Sequence, residues 1–247
     1  MRLTPEAHLV GSGESGFGVS DPFDCHVYLL DGGSEAALVD AGIGSGVDAI
    51  LANADATGLP RDRLRYVFLT HGHADHAGGA AALRERLPDV RVVASAEVAE
   101  WVATGDAEAL SVEVGKRSDF YPADFRFRPC DVDVRVRDGD RVSVGELAVE
   151  VLETPGHADG HLAFLVEGRR GRTLFSGDLV FFGGEVSLAN RWDCRIQAYA
   201  ASMRTLRGAR IEALLPGHHF VSLANGQRHI DAANRLFDRG FVPPSVV

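Results

Sequence analysis

The sequence predicts an α+β protein built as one domain of two similar halves, about residues 1–125 and 126–247. Three observations predict it. Strand-like and helix-like stretches follow one another, and the second half repeats the order. The strands end in glycine-containing turns that carry histidines and aspartates. No linker or low-complexity run divides the chain. At 247 residues it can bury a sizeable core, and 45% apolar with 24% charged residues is ordinary for a globular protein.

In the first half, His8-Leu9-Val10 begins a strand. Residues 11–24, rich in Gly, Ser and Asp, form a long loop carrying Phe17 and Phe23, either a flap over a site or a plain surface excursion. Cys25–Leu30 and Ala36–Val39 pair as a hairpin across Asp31-Gly32-Gly33. His26 alternates with apolar neighbours and reads as structural. Asp40-Ala41-Gly42 closes the second strand, its carboxylate bracing the next strand's turn or capping the following segment. Ser45–Thr57 is a helix: Ser45 and Asp48 have capping-box spacing, Val47, Ile50, Leu51 and Ala54 share a face, and Gly58 with Pro60 ends it. Tyr66–Leu69 is a buried strand, and Ala80, Leu83 and Leu87 line one face of a later helix. Val90–Ala94 is a strand and Ala96–Thr104 a helix. Residues 105–129 are irregular and aromatic; Phe120, Tyr121, Phe125 and Phe127, with Trp101, line a substrate mouth or simply pack the core.

From Asp131 the pattern changes to alternation. Val132, Val134 and Val136, then Val142, Val144, Leu147, Val149 and Val151, read as strands of a second sheet. Leu162–Val166 and Thr173–Phe175 are two more. Asp193–Leu206 is a helix facing the core through Ile196, Tyr199, Ala200, Met203 and Leu206, and Gly208 stops it. Leu214–His218 is a short strand running into a turn, and a last helix spans roughly Gln227–Arg239.

A net charge of −10 argues against a nucleic-acid surface and suits anionic membrane poorly. No run of about 18 apolar residues predicts a transmembrane helix, and the first residues contain no apolar signal core, so a cytoplasmic protein is expected. Cys25, Cys130 and Cys194 are far apart and odd in number, and read as reduced, buried residues.

The chemistry concentrates in Thr70-His71-Gly72-His73-Ala74-Asp75-His76-Ala77-Gly78-Gly79. Neutral imidazole and carboxylate are what zinc and similar borderline divalent metals bind. Four such side chains on one strand-to-helix turn seldom arise by chance. Three further strand ends each present one ligand-type residue: His157 and His218 after Pro-Gly, and Asp178 after Gly. Together these five histidines and two aspartates suffice for two adjacent metal sites with positions left for water or substrate. His161 touches substrate or is structural, His219 points away from its neighbour's target, and His8 and His229 read as surface residues.

The motifs His71-Gly72-His73-Ala74-Asp75-His76, Thr154-Pro155-Gly156-His157, Gly177-Asp178 and Pro216-Gly217-His218, with Asp40-Ala41-Gly42, resemble those of the metallo-β-lactamase superfamily and stand in its order over nearly the whole chain. The resemblance implies a four-layer αββα sandwich of two mixed β-sheets flanked by helices, with the metals at one edge. It assigns His71, His73 and His157 to a first metal and Asp75, His76 and His218 to a second, with Asp178 bridging. It implies two divalent ions, most simply Zn²⁺, with Fe or Mn as alternatives. Such a pair makes hydroxide available at neutral pH for attack on an acyl carbon, with Asp75 as a ligand whose second oxygen orients it and carries a proton.

Leu179-Val180-Phe181-Phe182-Gly183-Gly184 is similar to the glyoxalase II pattern as far as the two glycines, after which Glu185-Val186-Ser187 departs from it. Only 29 residues follow His218 (247 − 218), too few for that family's substrate domain. The lactonases of the superfamily carry a tyrosine where Phe181 stands. The expected substrate is a small ester, lactone or thioester, with Phe181, Phe182 and Trp192 as apolar wall and Arg191 meeting a carboxylate or making a surface ion pair. A mononuclear iron persulfide dioxygenase, a β-lactam hydrolase and a metal-stabilised binding module are the competing readings. The sequence leaves the oligomeric state open.

Overall fold

The computed structural model describes residues 1–247. Strands β1 (Ala7–Gly11), β2 (Val27–Asp31), β3 (Ala36–Val39), β4 (Leu64–Phe68), β5 (Arg91–Ala94) and β6 (Val134–Arg135) lie in that order in one sheet. β1 to β3 pair antiparallel, and β3 to β6 pair parallel. β7 (Arg141–Val144), β8 (Leu147–Glu153), β9 (Leu162–Gly168), β10 (Gly171–Gly177) and β11 (Ile211–Pro216) form the second sheet, antiparallel except where β10 meets β11. The helices are α1 (Val47–Asp55), α2 (Ala74–Ala77), α3 (Ala80–Arg86), α4 (Ala96–Thr104), α5 (Val112–Arg117), α6 (Ile196–Thr205) and α7 (Gln227–Asp238).

Strand alternation sorts the apolar side chains into three cores. Leu29 and Leu38 turn toward Ile50, Leu83 and Val98 of the first helices. Their neighbours Tyr28, Leu30 and Val39 turn the other way and meet Val149, Val151, Phe164 and Phe175 of the second sheet. On that sheet's far side Ala163, Leu165, Leu174 and Leu214 pack on Tyr199, Met203, Ile230 and Phe237. Two mixed sheets face to face with helices outside both are the αββα sandwich.

Several elements differ from expectation. Val134 joins the first sheet, because Asp133 takes the Val92 N–H at 2.8 Å and steers the chain alongside β5. Helix α1 begins at Val47 with no side-chain cap: the Ser45 hydroxyl donates to Asp21 at 2.7 Å, and Asp48 pairs with Arg86 across 2.5 Å. Helix α6 starts only at Ile196, because Asp193 and Arg195 both hold Asp159. The 105–129 stretch contains helix α5, whose Gly115 lies under the Tyr121 ring. His229 is buried, its Nδ1 accepting from the Gly183 N–H at 2.8 Å. Cys25 and Cys130 are buried, but Cys194 is only half-buried; none forms a disulfide.

Residues 12–24 are tied down rather than free: Asp24 accepts from the Ile43 N–H at 2.8 Å and the Ser20 hydroxyl at 2.6 Å, and the His219 N–H donates to the Ser15 carbonyl at 2.7 Å. No helix is long and apolar enough to cross a membrane.

Candidate metal centre

The carboxyl-terminal ends of strands from both sheets meet at one edge. His71, His73, Asp75 and His76 follow β4 and run into α2; His157 follows β8, Asp178 follows β10 and His218 follows β11. The structure brings all seven together in three overlapping groups: His71, His73 and His157; Asp75, His76 and His218; and His71, His76 and Asp178, which links the other two.

In the first group, the nitrogens His71 Nε2 and His73 Nδ1 are 2.9 Å apart, and His157 Nε2 is 3.0 Å from His73 Nδ1. Ligands about 2.0–2.1 Å from a tetrahedral ion stand roughly 3.3 Å from one another, so this is close to ligand spacing. Protons do not satisfy three nitrogens converging on one point. In the second group, His76 Nε2 lies 3.2 Å from His218 Nε2 and 3.4 Å from Asp75 Oδ2, and His218 Nε2 lies 3.1 Å from Asp75 Oδ2. Asp178 stands between the groups: Oδ2 is 3.5 Å from His157 Nε2, and Oδ1 is 3.5 Å from His76 Nε2. Asp178 Oδ1 is buried with no hydrogen-bond partner. Converging lone pairs and an orphaned buried carboxylate oxygen fit a cation in each group.

The supporting contacts decide which atoms point inward. Asp40, at φ 63°, tucks its carboxylate beneath the turn. It accepts from the Thr70 N–H at 2.8 Å and lies 2.9 Å from His76 Nδ1. That partner assigns the proton of His76 to Nδ1 and leaves Nε2 as a free donor of its lone pair. His157 Nδ1–H likewise donates to the Ser187 carbonyl at 3.0 Å. Asp40 therefore braces the metal turn, one of its two sequence readings.

Electrostatics divide the groups. Burial, reinforced by the neighbouring imidazoles, holds His71 well below the ordinary histidine range, and burial with the Arg191 charge does the same to His73. In the second group burial opposes charge on His76 and His218, yet Asp75 and Asp178 raise both. Burial would lift the Asp75 carboxyl, but His76 and His218 hold it well below its usual range. The first group is thus three neutral nitrogens, and the second draws positive charge to itself.

Beside these groups opens a cleft of about 340 Å³, within the range of small-molecule sites. Phe181 and Arg191 line it, with Phe23, Phe120, Tyr121 and Val246. Other expected substrate contacts lie elsewhere. His161 is fully buried behind Asp178, its Nε2 accepting the Asp178 N–H at 3.1 Å while Thr154 Oγ1 is 2.8 Å from Nδ1. Burial pushes its pKa down to about 3, so it is neutral and able to accept. Phe182 turns to the opposite side and stacks on His229 at 4.5 Å, and Trp192 packs edge-on against Trp101 at 5.9 Å. His219 lines the cleft near Phe181 outside both ligand groups. Sequence reasoning missed one contact: the buried Tyr121 hydroxyl donates to Asp75 Oδ1 at 2.8 Å. Its only signal was an aromatic-rich segment, which packing explains equally well.

A sandwich whose strand ends converge histidines and carboxylates at one edge defines a metal-site protein. The family model for the metallo-β-lactamase superfamily matches residues 20–218. The chain belongs to the metallo-β-lactamase superfamily. It is 38% identical over 162 residues to a hydroxyacylglutathione hydrolase of Anaeromyxobacter dehalogenans, covering 65% of this chain and 48% of that protein. It is 31% identical over 208 residues to a hydroxyacylglutathione hydrolase of Stenotrophomonas maltophilia, covering 83% of this chain and 65% of that protein. The matches thus span from about half to two thirds of these relatives. Among solved structures, a subclass B3 metallo-β-lactamase of Bradyrhizobium japonicum is 20% identical with a TM-score of 0.72, covering 97% of this chain and 91% of that one. A metallo-β-lactamase family protein of Thermus thermophilus is 23% identical with a TM-score of 0.71, covering 96% and 81%. At these identities the structures speak for the fold alone.

Proposed function

We propose that this chain is a hydrolase that holds two divalent metal ions, zinc in the simplest case, and cleaves a small ester, lactone or thioester. The observation that carries this reading is the pair of ligand groups joined by Asp178, whose two oxygens lie 3.5 Å from nitrogens on either side. His71, His73 and His157 would hold one ion, Asp75, His76 and His218 the other, with Asp178 shared. When bound, such ions supply a water of lowered pKa and Lewis-acid polarisation of an acyl oxygen. Thioester cleavage is favoured by the hydroxyacylglutathione hydrolases that resemble the chain.

The chain's own residues do the rest. Asp40 and Ser187 fix the imidazole tautomers through Nδ1 of His76 and His157. His161 and Tyr199 fix Asp178 through its backbone N–H and carbonyl, at 3.1 and 2.7 Å. Asp75 offers Oδ2 to the second group, while Tyr121 engages Oδ1. That oxygen therefore serves first to orient the carboxylate. Phe181, Phe23 and Phe120 give the cleft an apolar wall suited to an acyl chain. Phe181 has no hydroxyl to stabilise an oxyanion.

The test combines metal analysis of protein purified without added metal with a panel of esters, lactones and thioesters. Two zinc ions per chain and turnover of at least one acyl class are expected. His218→Ala should retain about one ion. A single iron per chain, or oxygen uptake with a persulfide in place of hydrolysis, overturns the reading.

A further inference from the structure

The turn that carries His218 leaves β11 at Pro216 and bends sharply. His219 has φ 62°, a left-handed conformation that residues other than glycine seldom adopt. Such a conformation persists only where its surroundings fix it. Residues entering β2 do so here. The Tyr28 hydroxyl donates to the Pro216 carbonyl at 2.6 Å, the His26 N–H donates to the Gly217 carbonyl at 2.6 Å, and His26 Nε2 lies 2.9 Å from the His219 carbonyl. A carbonyl only accepts, so Nε2 carries the ring proton of His26. The other backbone group of His219, its N–H, donates to the Ser15 carbonyl at 2.7 Å.

This clamp matters because of how His218 is oriented. His71, His76 and His157 each meet a partner outside the ligand groups through Nδ1: the Thr70 hydroxyl, Asp40 and the Ser187 carbonyl. The polar contacts of the His218 ring are all with other ligand-type residues, His76, Asp75 and Asp178. Its direction is therefore set by the backbone of its turn. That turn has no slack on the inner side, where a Cβ on Gly217 would lie 2.3 Å from Asp178 Oδ1 and 2.7 Å from His76 Cε1. On the outer side the loop before β2 closes over His26. Phe17 stacks on its ring at 5.4 Å, and a Cβ on Gly16 would lie 2.2 Å from its Cε1. The Ser12 hydroxyl accepts from the Phe17 N–H at 2.7 Å and fixes the bend that brings both there.

We propose that His26 is a positioning residue for His218. Through the His219 carbonyl it holds the second ligand group in shape and ties that group to the 12–17 loop. An ion bound by the second group and the docked loop then stabilise one another, since coupling between two sites is reciprocal. The inference rests on the two-ion part of the reading above and is independent of the substrate.

Two measurements on the full chain test it. The first is zinc affinity by chelator competition. His26→Phe keeps a flat ring beside Phe17 and removes the donor. It should weaken one of the two ions by about ten- to a hundredfold, the usual cost of losing a group that orients a ligand, and leave the other within about threefold. His26→Gln, whose amide N–H reaches about as far as Nε2, should recover most of the loss. His26→Leu makes the same comparison with a smaller side chain where the phenyl ring does not fold. The second measurement is hydrogen exchange with and without zinc. Zinc should slow exchange in residues 12–20 and 216–220 of the wild type, and the slowing in 12–20 should be lost in His26→Phe. Wild-type zinc affinities in His26→Phe, an equal loss in His26→Gln, or exchange in 12–20 that ignores zinc overturns the proposal. A wild type that binds one zinc ion overturns it together with the two-ion reading. Both measurements read zinc and not turnover, so a wild type that binds two ions but cleaves no ester, lactone or thioester counts against the hydrolase reading alone.

Discussion

Tyr121 shows how much one hydroxyl adds at the metal centre. Its O–H meets Asp75 Oδ1 at 2.8 Å, leaving Oδ2 to face His218 and His76. Burial, and then the Asp75 charge, push the phenol well above its ordinary range, so it stays protonated and donates. A bond to a charged acceptor is worth about 1.5–3 kcal/mol, and loss of such a supporting partner typically weakens metal binding ten- to a hundredfold. If the second group holds a metal as proposed, Tyr121→Phe is expected to weaken that site by roughly this factor in a chelator competition. Unchanged zinc affinity would mean that the phenol only fills space. The ligand-type residues were legible one by one, because imidazoles two and five residues apart on a strand-to-helix turn have few other uses. Tyr121 was not, since its partner lies 46 positions away in the chain. His161 read as a substrate contact or a structural residue because it follows His157 closely, and the pairing of β8 with β9 sends its ring behind Asp178, the structural one of the two.

At the scale of elements, the turns between strand and helix carry the chemistry, and close packing sets their shape. Gly156 precedes His157 with φ 143°, and a Cβ built there would lie 2.4 Å from the Tyr199 Cα in α6. Gly156→Ala thus meets both a backbone conformation that side chains rarely adopt and a helix backbone that cannot yield cheaply. It should destabilise the fold by at least about 1–3 kcal/mol and draw His157 away from His71 and His73. Thermal melts together with metal analysis would show both effects; a variant with the melting temperature and metal content of the unaltered protein would refute this account. The helix starts at 47 and 196 differ from their sequence-derived positions for one reason. Ser45, Asp48 and Asp193 are all able to cap, but each has a partner distant in sequence.

For the whole molecule, the metal edge is held together from both sheets, since His71 to His76 come from one and His157, Asp178 and His218 from the other. Removing metal should therefore loosen the joint between the halves. A ligand at one hundred times its Kd stabilises the folded state by about 2.7 kcal/mol, so chelation is expected to lower the melting temperature and zinc to restore it. The effect should shrink as pH falls, because protons raised onto His76 and His218 compete with the ion. A melting temperature indifferent to chelator would place the ions outside the structural joint. The sequence by itself determined the class of fold, the order of its main strands and helices and the identity of the ligand-type residues, because hydrophobic period, glycine turns and imidazole spacing are local. Only the tertiary structure decided that Val134 completes the first sheet, that Asp178 aims one oxygen at each ligand group, and that His26 reaches the His219 carbonyl. Those facts depend on which distant strand ends converge and on what fills the space between them, and no local pattern in the chain encodes either.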